Sequence, residues 1–355
     1  MSPAFRVLET GRAGRARAGL LRTAHGDIPT PAFMPVATYG TVRGVPSHEL
    51  KAFGTDILLM NFLHLFFYPG VEVLRRAGGV RTFFSVPVPV LTDSGGYQVF
   101  SLKHMRTVRE DGVMFRDPRS GRKEFLSPES VVLLEEAMGV DIAMVLDLCI
   151  PPESSPRELE RAVGVTTLWA RRSLEAAARE NTLVFGIVQG GIQDDLRERS
   201  ARELAAMPFD GYGIGGLGLG EDRSDTFRAL ETSLKHLPAD KPRYFMGMGY
   251  PQDIREAVAL GVDLFDCVLP TRNARNGQLF TSRGVINYKN GAYRDSTEPP
   301  DPECACPACR HYSLAYLHAM YRQGEMTAAI LATMHNLAYY LDFLKKIRQN
   351  IASLF

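Results

Sequence analysis

Residues 141–190 read DIAMVLDLCIPPESSPRELERAVGVTTLWARRSLEAAARENTLVFGIVQG. The two ends of this stretch, DIAMVLD to Asp147 and LVFGIVQG to Gly190, are short apolar runs rich in β-formers that stop at a polar residue or a glycine. The middle opens with Ser155 and Pro156, a helix cap and a first-turn proline, and continues in a helical pattern. Strand, helix and strand in succession make a βα unit whose strands run parallel. The same alternation extends outward on both sides. PAFMPVAT to Thr38, DILLMN to Asn61 and VPVLTD to Asp93 come before it; GYGIGGL to Leu217, RYFMGMG to Gly249 and LFDCVLP to Pro270 come after. Helical candidates lie between them: SHELKAF, GVEVLRRAGG, SPESVVLLEEAMG, DDLRERSARELAAM, SDTFRALETSLKHL and PQDIREAVALG. Eight such strands in one chain predict an α/β fold of the (β/α)8 TIM-barrel type rather than a doubly wound sheet.

A barrel of this kind places its active site at the carboxyl ends of the strands, where this sequence puts Asn61, Asp93, Asp147, Gln189 and Asp266. Three segments stand outside the repeat and read as additions to it. These are an Arg- and Gly-rich N-terminal extension over residues 1–30, the segment from His104 to Phe125 with a DPRSG turn that predicts a β-hairpin, and everything from Thr281 onward. The last closes with a helix around LAYYLDFLKKIRQNIASLF. The expected organisation is one catalytic domain over 1–355 carrying the N-terminal β extension and an inserted metal-binding subdomain at 281–345.

With 45% apolar residues in 355 the chain can bury a large core. No apolar run is long enough to span a bilayer and the N-terminus has no signal-peptide core, so a soluble, cytoplasmic protein without membrane partners is expected. A net charge of +1 excludes a global attraction for nucleic acid, so RNA binding would need a local patch. From Cys304 to the end there are five Lys or Arg, namely Arg310, Arg322, Lys345, Lys346 and Arg348, against the acids Glu325 and Asp342.

Three of the five cysteines, Cys304, Cys306 and Cys309, fall within six residues, a spacing poor for disulfides and good for a metal. Three thiolates and one imidazole complete a tetrahedral structural zinc site with no position left for water. His311, His318 and His335 are the candidates for the fourth ligand.

At the strand ends, TDSGGYQVFSL sets Asp93 before a glycine-rich turn that allows close approach of a ligand, and Asp266 lies at the end of the last strand ahead of Arg272 and Arg275. A carboxylate pair of this kind also suits a retaining glycosidase. The runs FMPVAT, LTDSGGYQVFSL, FGIVQGG, FDGYGIGGL, MGMG, FDCVLPTR with RNGQ, and the CxCxxC cluster with MHNLAYY settle the matter differently. Over essentially its whole length the chain resembles the tRNA-guanine transglycosylase (queuine tRNA-ribosyltransferase) family.

That resemblance implies exchange of the wobble guanine in the U-G-U anticodon loop of tRNA for a 7-deazaguanine base, through a covalent enzyme–RNA intermediate, in queuosine biosynthesis. It assigns the nucleophile to Asp266 and the general acid/base to Asp93, one carboxylate staying ionised while the other carries protons. For the base it implies Asp147 accepting from the guanine N1 and N2 hydrogens, and Gln189 and the Gly216 N–H donating to O6. The Leu217 carbonyl would take an aminomethyl group, Glu221 would support that peptide, Ser94 would join the substrate site, and Tyr97 and Met246 would sandwich the ring. The match of MHNLAYY favours His335 as the fourth zinc ligand. The resemblance further implies a homodimer with the zinc region near its interface, and Arg272, Arg275, Lys345, Lys346 and Arg348 as candidates for tRNA phosphates.

Within the family, Leu219 in GGLGLGE stands where queuine-using members carry glycine, and Cys149 resembles the bacterial type, so the smaller 7-aminomethyl-7-deazaguanine (preQ1) is the expected base, with queuine the alternative. Gly218 beside Leu219 removes bulk, and Leu148 replaces the glutamate of the usual Asp-Glu-Cys run. A non-catalytic partner subunit, the other outcome in the family, is disfavoured because Asp93, Asp147, Gln189 and Asp266 are all present.

Overall fold

The structure is a computed structural model that describes residues 4–12, 14–96, 106–117, 120–151 and 154–354. All eight runs predicted as strands form one closed parallel barrel: β4 (Ala32–Ala37), β5 (Leu58–Asn61), β6 (Val90–Asp93), β10 (Ile142–Met144), β11 (Leu183–Val188), β12 (Gly211–Ile214), β13 (Arg243–Phe245) and β14 (Leu264–Cys267). Closure comes from β14 pairing with β4, Asp266 opposite Met34. Buried on both faces, the strands are apolar almost throughout, with Met60, Leu91, Met144, Phe185, Ile187, Tyr212 and Phe265 fully or nearly fully buried. Each aliphatic side chain so buried contributes roughly 1.5–3 kcal/mol.

The remaining β-structure sits around the barrel. β1 (Phe5–Thr10), β2 (Arg17–Thr23) and β3 (Gly26–Thr30) form an antiparallel sheet in the N-terminal extension. Arg17 anchors it with a two-pronged ion pair to Asp263 at the foot of β14, both groups almost completely buried. Removing either partner strands a buried charge, at a cost of about 3–5 kcal/mol. The expected hairpin becomes a three-stranded sheet, β7 (Arg106–Val108), β8 (Val113–Arg116) and β9 (Lys123–Leu126). Trp169, the one tryptophan, ties the long helix Pro156–Ala176 to it by donating to the Glu110 carbonyl at 2.8 Å.

Two helical expectations change. SHELKAF contracts to a 3-10 turn, Ser47–Glu49, because Pro46 at its N-cap offers no side-chain acceptor. The terminal helix begins well before LAYY, running from Met326 to Gln349, with one further turn at Ile351–Leu354. Its first part, with Ala328, Leu331 and Ala332, packs into a second hydrophobic cluster with Leu279, Tyr288, Cys306 and Cys309. From Leu337 on, Tyr340, Leu344 and Ile347 enter the barrel core, where the Tyr340 ring lies 4.9 Å from Phe33 and its hydroxyl donates to Gly249. The segment read as an addition therefore also supplies a wall of the barrel, and the cysteine cluster packs against the early turns of that helix. Among the described residues no helix is long and apolar enough to cross a membrane.

Candidate active site and metal centre

The polar strand ends do converge at the barrel mouth. Asn61 and Asp93 are paired residues of β5 and β6. Asn61 uses both ends of its amide: Oδ1 caps helix Phe62–Phe67 by accepting from the His64 N–H, and Nδ2 donates to Asp93 Oδ2 at 2.6 Å. Asp93 Oδ1 accepts from the backbone N–H of Phe62 and Gly95. Burial nonetheless pushes the Asp93 carboxyl up to about 7, against the pull of these donors and helped by the nearby Asp266 charge.

Asp266 is held on one side only. The buried Tyr244 hydroxyl at 2.6 Å and the Gly247 N–H at 2.7 Å both donate to Oδ1, and no donor reaches Oδ2 among the described residues. Burial raises its pKa while these two donors lower it, the net shift being upward. Asp266 thus keeps one oxygen without a donor among the described residues, near a second carboxyl that holds its proton to near-neutral pH.

Asp147, just beyond β10, is buried and accepts from Ser94 Oγ at 2.9 Å and from Gln189 Nε2 at 2.7 Å. Burial raises its pKa, and the two donors oppose that. Any side chain at Gly96 would drive its Cβ into Asp147 Oδ1, so the glycine-rich turn is what lets Asp147 reach this place. Gly216, at φ 67°, likewise leaves room for the Gln189 amide. Glu221 accepts from the Gly218 and Leu219 N–H groups and from Thr226. These bonds outweigh its partial burial and hold its pKa below the usual value. Because Gly218 N–H belongs to the same peptide unit as the Leu217 carbonyl, Glu221 fixes that carbonyl's direction. The Met246 sulfur lies over β12, beside Gly213 and Gly215. Tyr97 lies outside the described residues.

Sequence reasoning singled out neither Tyr244 nor Arg197, both buried. Tyr244 sits in an apolar strand and reads as core, while Arg197 is one of several charges in a helix and reads as solvated surface. The basic candidates divide. Arg272 is exposed and Arg275 half-buried, near Arg43. Lys345 and Lys346 are exposed, Lys346 bridging to Asp342 at 2.8 Å. Arg348 does not fit the expectation of a phosphate contact: its guanidinium is turned inward, donating to the Pro31 carbonyl at 2.8 Å and pairing with Asp56, because this part of the helix packs on the barrel.

Cys304, Cys306, Cys309 and His335 come together, their ligand atoms all within 4.8 Å of one another. His335 Nδ1 is 3.2 Å from Cys309 Sγ and 3.7 Å from Cys306 Sγ, close to the edges of a tetrahedron with metal bonds of about 2.1–2.3 Å. On the far side of the ring Nε2 lies 2.8 Å from the Phe280 carbonyl, a contact that puts the proton there and leaves Nδ1 free to ligate. His318 instead turns to the Tyr288 carbonyl, and His311 is exposed. The cluster is a site able to hold a metal ion.

A family model described as queuine tRNA-ribosyltransferase matches residues 12–353. The chain is 48% identical to a queuine tRNA-ribosyltransferase of Shewanella baltica strain OS155, over 94% of this chain and 90% of that protein. It is also 48% identical to a queuine tRNA-ribosyltransferase of Nitrosomonas europaea, over 96% and 92%. On a family match that spans nearly the whole chain and identities of this size, this chain belongs to the queuine tRNA-ribosyltransferase family, the tRNA-guanine transglycosylases, and is an enzyme of it.

Proposed function

We propose that the chain exchanges the wobble guanine of tRNAs bearing a U-G-U anticodon for preQ1 through a covalent aspartyl–ribose intermediate, as a step of queuosine formation. The observation that carries this reading is the asymmetry of Asp266, bonded at Oδ1 and, among the described residues, without a donor at Oδ2, beside an Asp93 whose pKa burial pushes up to about 7. Asp266 Oδ2 attacks the ribose C1′ as the C1′–N9 bond breaks, and the departing guanine takes a proton from Asp93. The incoming base then gives its N9 proton to Asp93, N9 bonds to C1′, and the ester to Asp266 breaks. Both carboxyls return to their starting states.

Asp147, Gln189, Ser94, Gly216 and the Leu217 carbonyl hold the base, and Tyr97 and Met246 stack on it. In the free chain Gln189 Nε2 is committed to Asp147, so the arriving base replaces part of that bond with its own N–H donors. Leu219 and Cys149 support preQ1 over queuine. Zinc fits the three thiolates and the Nδ1 of His335, where it would have a structural role and hold the subdomain's fold. Arg272 and Arg275, with Lys345 and Lys346, are the candidates for tRNA phosphates or a partner surface. A cytoplasmic homodimer is part of the reading and is checked by light scattering.

Labelled guanine should enter tRNA with a U-G-U anticodon loop, and unlabelled preQ1 should suppress it better than queuine or the 7-cyano analogue. Stronger competition by queuine would reverse the base assignment. Hydrolysis of simple glycosides without tRNA would favour a glycosidase instead.

A further inference from the structure

Helix Asp194–Ala205 carries two residues that reach the base-recognition loops from behind. Ser200 accepts from the Gln189 N–H at 3.0 Å. Arg197, fully buried, donates from Nε to the Gly191 carbonyl at 2.6 Å, from Nη1 to Val188 at 3.2 Å and from Nη2 to Gly216 at 3.3 Å. No carboxylate lies within ion-pair distance of it among the described residues. A buried guanidinium without an ion-pair partner is costly to keep, and here its donors are spent on the carbonyl that ends β11 and on carbonyls of two separate loops. Those loops are the ones after β11 and β12, carrying Gln189 and Leu217.

We propose that Arg197 is a positioning residue for base recognition, locking the Gln189 loop and the Gly216–Leu217 loop in register so that a purine edge meets a preformed set of donors and acceptors. The inference rests on the base-site reading above. In a trans peptide the carbonyl and N–H point opposite ways. The Gly216 carbonyl is drawn to Arg197, which turns the Leu217 N–H away from it. The Gly218 N–H is drawn to Glu221, which turns the Leu217 carbonyl away from that side. A cation and an anion thus fix two consecutive peptide units. Burial lowers the Arg197 pKa to about 10, with Cys149 and Glu221 opposing, so the charge persists at neutral pH. The planar fork spans three carbonyls, which a lysine ammonium at the end of a single stem does not.

The test is guanine binding and guanine exchange by the full chain. Arg197→Lys should weaken guanine binding and raise the KM for guanine at least about 10-fold, with kcat at saturating guanine within about threefold of the parent. Combined with Glu221→Gln, the loss should fall short of the product of the single losses, because both side chains act through adjoining peptides. A folded Arg197→Lys that binds guanine like the parent, while Asp147→Asn does not, overturns the role of Arg197 alone. If Asp147→Asn also binds normally, the base-site reading is what fails. Should Arg197→Lys not fold, hydrogen exchange of residues 215–221 in the parent decides. Protection before guanine is added supports a preformed loop, and free exchange until guanine arrives overturns it.

Discussion

Asp93 and Asp266 differ in what surrounds them more than in where they lie. Asp93 collects donors on both oxygens and still titrates near 7, since burial dominates and a second carboxylate stands close by. A carboxyl whose pKa rises on folding binds extra protons in the native state between roughly pH 4 and 7, so its ionisation costs stability as pH rises through that window. Asp93→Asn should therefore raise the melting temperature relative to the parent at pH 8 and leave the two nearly equal at pH 4, as followed by thermal unfolding. An unchanged difference across that range would mean Asp93 titrates normally. In exchange assays the parent's kcat/KM should fall above about pH 7 as Asp93 loses the proton it donates, and that limb should be missing from the residual activity of Asp93→Asn.

At the scale of elements, the barrel strands were legible because each is a short apolar run closed by a polar residue or glycine, and all eight form where the alternation put them. The aspartates of the barrel mouth were legible as strand ends, and the Cys3His cluster as a spacing. What the sequence hid are contacts made across elements. Tyr244 reads as core until β13 is laid beside β14 and its hydroxyl meets Asp266. The last helix was misjudged because its early turns face one hydrophobic cluster and its later turns another, which blurs a single amphipathic stripe. Arg348 belongs to this docking face. Arg348→Ala should lower unfolding stability by about 2 kcal/mol through lost charge-assisted bonds and leave the salt dependence of tRNA binding unchanged. Arg272→Ala should do the reverse, keeping stability and reducing the slope of log K against log salt by about 0.7–0.9. Denaturant melts and filter binding at several salt concentrations separate the two.

For the whole molecule, the barrel mouth gathers the carboxylates and the cysteine cluster joins the residues after β14 to the closing helix through His335. Because His335 rides on the helix whose later turns line the barrel, loss of metal should be felt in both parts. Prolonged chelation should release one zinc per chain and lower thermal stability and tRNA affinity, whereas an excess of chelator during a single turnover should not slow exchange in enzyme that keeps its metal. The most direct measurement for the exchange mechanism is intact mass and peptide mapping of enzyme mixed with U-G-U tRNA and quenched under denaturing conditions. The expected result is an RNA adduct on the peptide containing Asp266, discharged by added guanine and lost in Asp266→Ala. An adduct on another residue, or one that survives in Asp266→Ala, would contradict it.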